Sequence, residues 1–549
     1  MARLERNEPT RPRAPRARDR RFAPAVALLA VASLGLPGCS CQPAGAGAGA
    51  ASPPADPAPE PGRTPPTPPV PEPGGAGGGG ADPGAGWVGI LFRNEGALER
   101  TPGGEPPAEA EPGIEILNVA IDSPASGVGI RVGDRVVALN GKAVKDAARL
   151  EDALKYFPPG SRIRIGIQRG DDRLDVDLEI GSFDIRARAR QALEKGVAFL
   201  LASQKQSGSW PHFQSAEGSD SAATSALALR ALCGLPPDLR EKSLPAIDRA
   251  IGWLSTMQTE EGAIVQDAST IHYRNYTTAF FLSSLAALGR AEDAELLAKT
   301  AAGLTARQLD DDKGITEYEF VVYGAWNYHD EDIRASMRGD VSITSCVLEA
   351  LYRAKLSEDD PCYEPARLFL ARTQNYKKGA PPQVKAIFDG GFSFNPRDSK
   401  AGSDVLRNGI VRFRSYGSCT SDGLRASIYA HVPRDAEPIA EAIAWLGKNF
   451  ETRRNPGFEP DDPIRNAYGI YYYYLNSLTD ALHAAGVKEL VGRSGRPIDW
   501  RTEVASALIY RQREDGSWRN EVNTMSEDDP VLGTSFAVLS LARCLAEAK

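Results

Sequence analysis

The sequence has little of what redox and metal chemistry require. Seven cysteines and five histidines are spread over 549 residues. Cys233, Cys346, Cys362, Cys419 and Cys544 share no pair spacing, so they write neither a disulfide framework nor a Cys-x-x-Cys zinc site. Four of these five lie in apolar, helix-like surroundings, where cysteine serves as a small buried hydrophobe. No metal and no cofactor is expected. A run of lysine and arginine interleaved with aromatics is missing after residue 21, and the formal net charge is −8 with 25% charged residues. That mildly acidic balance excludes nucleic acid as an expected partner. A run of apolar residues long enough to span a bilayer is missing too.

What is present begins with eight arginines against three acids in the first 21 residues. The short block Phe22 to Leu36 ("FAPAVALLAVASLGL") follows, giving the charged and apolar regions of an export signal. It ends in Leu36-Pro37-Gly38-Cys39, which resembles the lipobox of bacterial lipoproteins. The resemblance implies a lipidated Cys39, a signal peptide over 1–39 and a membrane-anchored place in the bacterial cell envelope, periplasmic or surface-facing. A conventional signal peptide cleaved near Gly38 is the alternative and exports the chain equally. A twin-arginine signal on Arg20-Arg21 lacks the rest of its motif. Residues 40–85 are almost wholly proline, alanine and glycine. They cannot bury enough apolar surface to offset their ordering entropy and read as an extended spacer.

Folded sequence begins at Gly86-Trp87-Val88-Gly89-Ile90-Leu91-Phe92. A polar insertion follows, then strand-like runs over Ile114–Ile121, Arg135–Leu139 and Arg162–Gln168. Ile163, Ile165 and Ile167 alternate with polar neighbours, as do Leu174, Val176, Leu178 and Ile180, the period of half-buried strands. Gly86–Gly89, Ser123-Pro124-Ala125 and the stretch Gly133 to Gly141 fall in the order that marks PDZ domains of bacterial HtrA-type envelope proteases, and residues 86–181 resemble that family. The resemblance implies that an extended peptide adds a strand to a sheet edge, its terminal carboxylate held by backbone N–H groups of Trp87, Val88, Gly89 and Ile90. Glycine suits such a loop because it brings donors to an anion without Cβ obstruction. Two other readings stay open: a packing module, or a groove filled by a segment of the same chain.

From about residue 182 the period becomes helical, and one pattern recurs. "KGVAFLLASQKQSGSW" (195–210) places Lys195, Gly196, Phe199, Leu200 and Gln204 ahead of Gly208 and Trp210. Later copies run through Trp253 to Gln258 and Gly262, through Lys299 to Gln308 and Gly314, and through Phe369 to Gln374 and Gly391-Phe392. The last two run through Trp445 to Asn449 and Gly457, and through Leu508 to Gln512, Gly516 and Trp518. Between copies lie more uniformly apolar helices such as "DSAATSALALRAL" and "DVSITSCVLEALYRA". The copies resemble the QW-type repeat of squalene cyclases and protein prenyltransferase β-subunits. The implied fold is multidomain: a small PDZ-like β/α domain followed, over 182–549, by an all-α (α/α)6 toroid of six outer and six inner helices. The motif specifies architecture and hardly any chemistry.

The resemblance also names the chemistry to look for. Class II cyclases use an Asp-x-Asp-Asp acid; the nearest string, Asp310-Asp311-Asp312, follows Gln308 directly and reads as a solvated turn. Cys419 and Asp422 stand three apart with no spacing support for zinc, and Cys233-Gly234 does not continue into a thioester motif. Enzymatic activity is therefore left undecided, with no catalytic residue named. Inner-helix N-termini converge on one mouth of a toroid, and they carry the candidate pocket residues Asp220, Tyr276, Asp340, Ser342, Tyr416, Cys419, Asp422 and Thr534. Helix capping is the competing role for the aspartates, serine and threonine among them. The tyrosines 471–474 lie on an inner helix, where one or two can line the cavity. The expectation is an exported protein that binds a protein or peptide C-terminus at its PDZ domain, with the toroid as scaffold for a lipid or peptide ligand. The alternative is an enzyme acting on a polyprenyl or lipid substrate in the toroid.

Overall fold

A computed structural model describes residues 86–92 and 113–547, apart from 156, 183, 213–219, 267–272, 329–337, 377–387, 407–408, 410, 460–461 and 463. The lipidation candidate Cys39, the export signal and the spacer lie outside the described residues.

The sheet unit runs β1 (Gly86–Trp87), β2 (Ile90–Phe92), β3 (Ile114–Val119), the one-turn α1 (Pro124–Gly127), β4 (Arg135–Leu139), β5 (Lys142–Ala143), α2 (Ala147–Lys155), β6 (Arg162–Arg169), β7 (Asp172–Glu179) and β8 (Gly181–Ser182). The main sheet is antiparallel in the order β2-β3-β4-β6-β7, with β5 beside β4, while β1 pairs with β8. Alternation sets the faces: Ile163, Ile165 and Ile167 are buried with Leu150 and Leu154 of α2, while Arg162 and Arg164 point to solvent. The alternation expected of β7 holds only at its C-terminal end, where Leu178 is buried; Leu174 is exposed because that end of the strand runs past the core.

The remainder is helical. Outer helices α3 (Ile185–Ser203), α5 (Pro237–Ser255), α7 (Ala294–Thr305), α9 (Tyr363–Thr373), α11 (Glu437–Lys448) and α13 (Trp500–Ile509) alternate along the chain with inner helices α4 (Ala222–Cys233), α6 (Arg274–Leu288), α8 (Val341–Arg353), α10 (Gly417–Tyr429), α12 (Tyr471–Ala484) and α14 (Pro530–Leu545). Each inner helix packs against the next, and α14 returns to α4, so the ring is closed. Every residue of α4 and α10 is buried, as expected of helices covered on both sides. The outer helices bury one face only. Among the described residues no helix is long and apolar enough to cross a membrane.

The glutamines join neighbouring repeats. Gln204 Nε2 donates to the Gly208 carbonyl at 3.0 Å in its own corner and to Ala246 of the next outer helix at 2.8 Å. Gln308 and Gln374 repeat this with Gly324 and Cys362, and with Gly390 and Pro438. Gln512 closes the ring by donating to Ala192 of α3 at 2.8 Å. The corner tryptophans Trp210, Trp326 and Trp518 each donate their indole N–H to an outer-helix carbonyl at 2.8 Å. The third corner differs from the sequence expectation: it turns at Gly324 and not at Gly314, which ends a one-turn 3-10 helix in an insertion. Asp310-Asp311-Asp312 lie in that insertion, where Asp310 caps the turn.

Candidate functional sites

The peptide-capturing loop of the sheet unit has two faces. The carbonyls of Val88 and Gly89 are committed inward, accepting from Ala125 at 3.0 Å and Ala120 at 2.7 Å. Among the described residues the amides of Val88 and Gly89 donate to no acceptor. Gly89 has φ +80°, and a Cβ there would stand 2.2 Å from the Ser123 Cβ, so only glycine fits. Among the described residues β2 lies at the edge of the sheet, with β3 on one side and no strand on the other. Unlike its neighbours, Trp87 turns toward the helical ring, with the Arg188 guanidinium 3.8 Å from its ring centroid. Asn118 Nδ2 donates to the carbonyls of Tyr510 and Gln512 at 2.7 and 3.2 Å. Arg453 pairs with Glu151 of α2. The sheet unit thus rests on the corner where the ring closes.

The second site is the mouth of the ring. A pocket with about 370 Å³ of free space, part of it open to solvent, is walled by Tyr276, Tyr328, Tyr416, Tyr473, Ile470 and Met525, with Ser342, Ser418, Lys400 and Glu527 supplying polar groups. Its floor is hydrogen-bonded. The Tyr276 and Tyr328 hydroxyls are 3.1 Å apart. Ser342 Oγ and Tyr473 Oη donate to Asp422 Oδ2 at 3.1 and 2.8 Å. Glu527 accepts the N–H groups of Tyr471, Tyr472 and Tyr473, all at 2.9 Å, and so caps α12. Burial outweighs those bonds and pushes its carboxyl up to about 7.

Two further ionisable groups, Asp340 and Lys400, stand at this mouth. Asp340, in the short strand pairing of Gly339–Asp340 with Trp326–Asn327, caps α8 through Oδ1, which accepts from Ile343 N at 3.0 Å. Its Oδ2 is buried and unsatisfied. Burial pushes the carboxyl up to about 7, against the pull of the Ile343 amide and the Lys400 charge. Lys400 enters from the arm ahead of a hairpin, Ser403–Val405 with Val411–Phe413. Its ammonium lies 4.4 Å from the Phe394 ring centroid, and burial draws it down to about 8 although Cys419, Asp340 and Asp422 favour its charge.

Below the mouth the interior of the ring is filled. Arg230, Glu349, Arg425 and Asp480 come from four inner helices. Arg230 bonds Glu349 at 3.0 Å and Asp480 at 2.9 Å; Arg425 bonds Glu349 at 3.1 Å and Asp422 at 2.8 Å. Arg353 and Arg543 complete the network through Glu349 and Asp480 at 2.8 and 2.7 Å. Burial alone would raise the carboxyls, but the arginines win: Glu349 is held near about 2 and Asp480 lower still. An apolar chain threaded down the axis would have to displace these ions.

Of the residues expected at the mouth, the structure brings Tyr276, Ser342 and Tyr416 to the pocket wall. Asp340 stands beside it, its charge acting on Tyr276, Tyr328, Tyr416 and Lys400. Asp422 lies one layer deeper, bonded on both oxygens by Ser342, Tyr473, Ser477 and Arg425. Three candidates do other work. Asp220 pairs with Lys205 at 2.6 Å. Thr534 Oγ1 accepts the Trp518 amide at 2.9 Å and belongs to the corner. Cys419 is fully buried, its thiol pushed up by burial. No group of three or more His, Cys, Asp or Glu side chains placed to hold a metal occurs among the described residues. Lys400, Tyr328 and the interior ions were not singled out from sequence, although a lone arginine or glutamate inside "ALALRALC" or "SCVLEALY" is a legible signal.

Residues 86–180 match the PDZ domain family model, and this part of the chain is a PDZ domain with HtrA-type relatives. It is 32% identical over 72 residues to the periplasmic serine endoprotease DegP of Escherichia coli, covering 13% of this chain and 15% of DegP. It is 33% identical over 67 residues to the putative serine protease HhoA of Synechocystis, covering 12% and 17%. The chain thus spans about a sixth of the length of these curated relatives. Among solved structures, the type II terpene cyclase MstE from Scytonema is similar at a TM-score of 0.41 and 16% identity, over 65% of this chain and 98% of that one. A protein from Actinoplanes gives 0.40 and 18%, over 65% and 100%.

Proposed function

We propose that the chain is an exported, lipid-anchored envelope protein that captures protein or peptide C-termini at its PDZ domain and uses the helical ring as a ligand-binding scaffold. The observation that carries this reading is the pair of amides, Val88 and Gly89, that meet no acceptor among the described residues, beside the edge of β2 that no described strand covers. An extended peptide placed there gains ladder hydrogen bonds, and its carboxylate meets two donors. The test is fluorescence anisotropy of the mature chain with labelled C-terminal peptides and their amidated counterparts. Binding that falls about tenfold or more on amidation, the scale of a charge-assisted hydrogen bond, supports the reading; equal binding of both forms contradicts it. Anchoring is tested separately: Cys39→Ala should move the protein from the membrane to the soluble fraction.

The alternative, an enzyme acting on a polyprenyl substrate, has one observation in its favour, the Asp340 carboxyl held near neutrality at the mouth. The ionic filling of the ring weighs against it. So does the stretch Asp340-Val341-Ser342-Ile343, which keeps only the first carboxylate of an Asp-x-Asp-Asp pattern at an inner-helix start.

A further inference from the structure

We propose that the ring holds the peptide site of the PDZ domain shut, so that docking of the ring corner 510–512 and binding of a peptide C-terminus beside β2 compete. The inference rests on the reading of the β2 edge as a capture site and deepens it by naming what regulates that site.

The capturing loop has two neighbours in its own domain, and the ring is bonded to both. α2 packs beside β1, which leads into the loop, and β3 pairs with β2, Asn118 standing opposite Leu91. From the ring, Arg453 pairs with Glu151 of α2, and the carbonyls of Tyr510 and Gln512 accept from Asn118 Nδ2 at 2.7 and 3.2 Å. The middle is covered too. Trp87, the first residue of the loop, is 2% exposed yet packs into neither hydrophobic core. The Arg188 guanidinium lies 3.8 Å from its ring centroid, and the Tyr510 side chain meets it as well. Val88 and Ile90, by contrast, are buried in the core of the sheet unit itself. The ring therefore clasps the loop from α2 to β3, and a strand added beside β2 has to fit between parts that the clasp ties together.

The clasp is built of contacts that can open. It consists of one ion pair between partly exposed side chains, two hydrogen bonds to carbonyls and one cation–π contact. Asp122, just beyond β3, adds an exposed contact to Lys195 at 3.7 Å and accepts from Arg188 through its carbonyl at 3.3 Å. Contacts of these kinds are individually modest, and domains joined mainly by them move relative to one another. A peptide that binds only the open form shows an affinity reduced by the open fraction. By linkage, it loosens the ring corner in return.

The experiment uses the full mature chain and the double variant Arg188→Ala/Arg453→Ala, which leaves every residue of the sheet unit in place. The probes are labelled peptides with a free C-terminus, each ending in a different proteinogenic residue, and the amide of the best binder. Opening the clasp should tighten carboxylate-dependent binding by about tenfold, the effect of raising the open fraction from about a tenth to nearly all. Arg453→Glu, which sets like charges against each other at Glu151, should act in the same direction. Hydrogen–deuterium exchange gives a second readout: residues 508–512 should exchange faster in the parent chain saturated with peptide, and residues 86–92 faster in the peptide-free double variant. Equal or weaker binding by both variants, or a corner whose exchange peptide leaves unchanged or slows, would overturn the proposal. No carboxylate-dependent binding by any form would sink the capture reading and the competition together, whereas such binding left unchanged by the variants would sink the competition alone.

Discussion

The mouth and the interior of the ring both hold charges taken out of water, and they treat them in opposite ways. In the interior, four arginines and three carboxylates from five of the six inner helices meet, and every carboxylate is bonded by two or more arginines or by an arginine and hydroxyls. At the mouth, among the described residues, Asp340 leaves Oδ2 without a donor, and Lys400 is half-buried with its ammonium over the Phe394 ring. The interior satisfies its ions internally; at the mouth one carboxylate oxygen is left over. A buried charge marks a binding site only where its partner is missing.

That contrast can be broken most directly in the interior. Arg425→Met leaves Asp422 and Glu349 short of a partner among buried groups and should cost about 3–5 kcal/mol, read as a large fall in Tm or loss of the folded protein. Next in size is the corner that frames the repeats. At Gly324, φ is +88° and a Cβ would stand 1.9 Å from the Pro365 carbonyl oxygen, so Gly324→Ala should cost about 1–3 kcal/mol.

pH separates the two regions by sign. Glu349 and Asp480 have lowered folded pKa values, so their contribution is present above the ordinary carboxylate range and is lost as pH falls below it. Asp340 and Glu527 have raised values, to about 7. The folded state then holds protons that the unfolded state has released, so stability falls as pH rises from the ordinary carboxylate range to about 7. Asp340→Asn should therefore stabilise more at pH 8 than at pH 4 in thermal melts, whereas Glu349→Gln should destabilise at both. The smallest effect belongs to the domain contact: Arg453→Ala removes a half-exposed pair with Glu151 and should change stability by less than about 1 kcal/mol.

The ring was readable because its corners are local. A glutamine reaches only its own glycine turn and the adjacent helix, and the glycine at positive φ is set by the close approach of that helix. The third corner misled because two glycines at positive φ, Gly314 and Gly324, follow one glutamine; the choice between them depends on which one meets Pro365. Of the residues that convergence of inner-helix starts pointed to, Tyr276, Ser342 and Tyr416 line the pocket. It could not find Lys400 or Tyr328, which arrive on arms between helices whose path is decided by tertiary packing. It also overcounted: Thr534 lies within a helix start but faces its own corner.

The measurement that bears most directly on this account is fluorescence anisotropy of the mature chain with labelled C-terminal peptides and their amidated counterparts. The account predicts that amidation weakens binding by about tenfold or more and that Gly89→Glu abolishes it while the ring stays folded. Equal binding of both peptide forms, or a Gly89→Glu variant that binds unchanged, would contradict it.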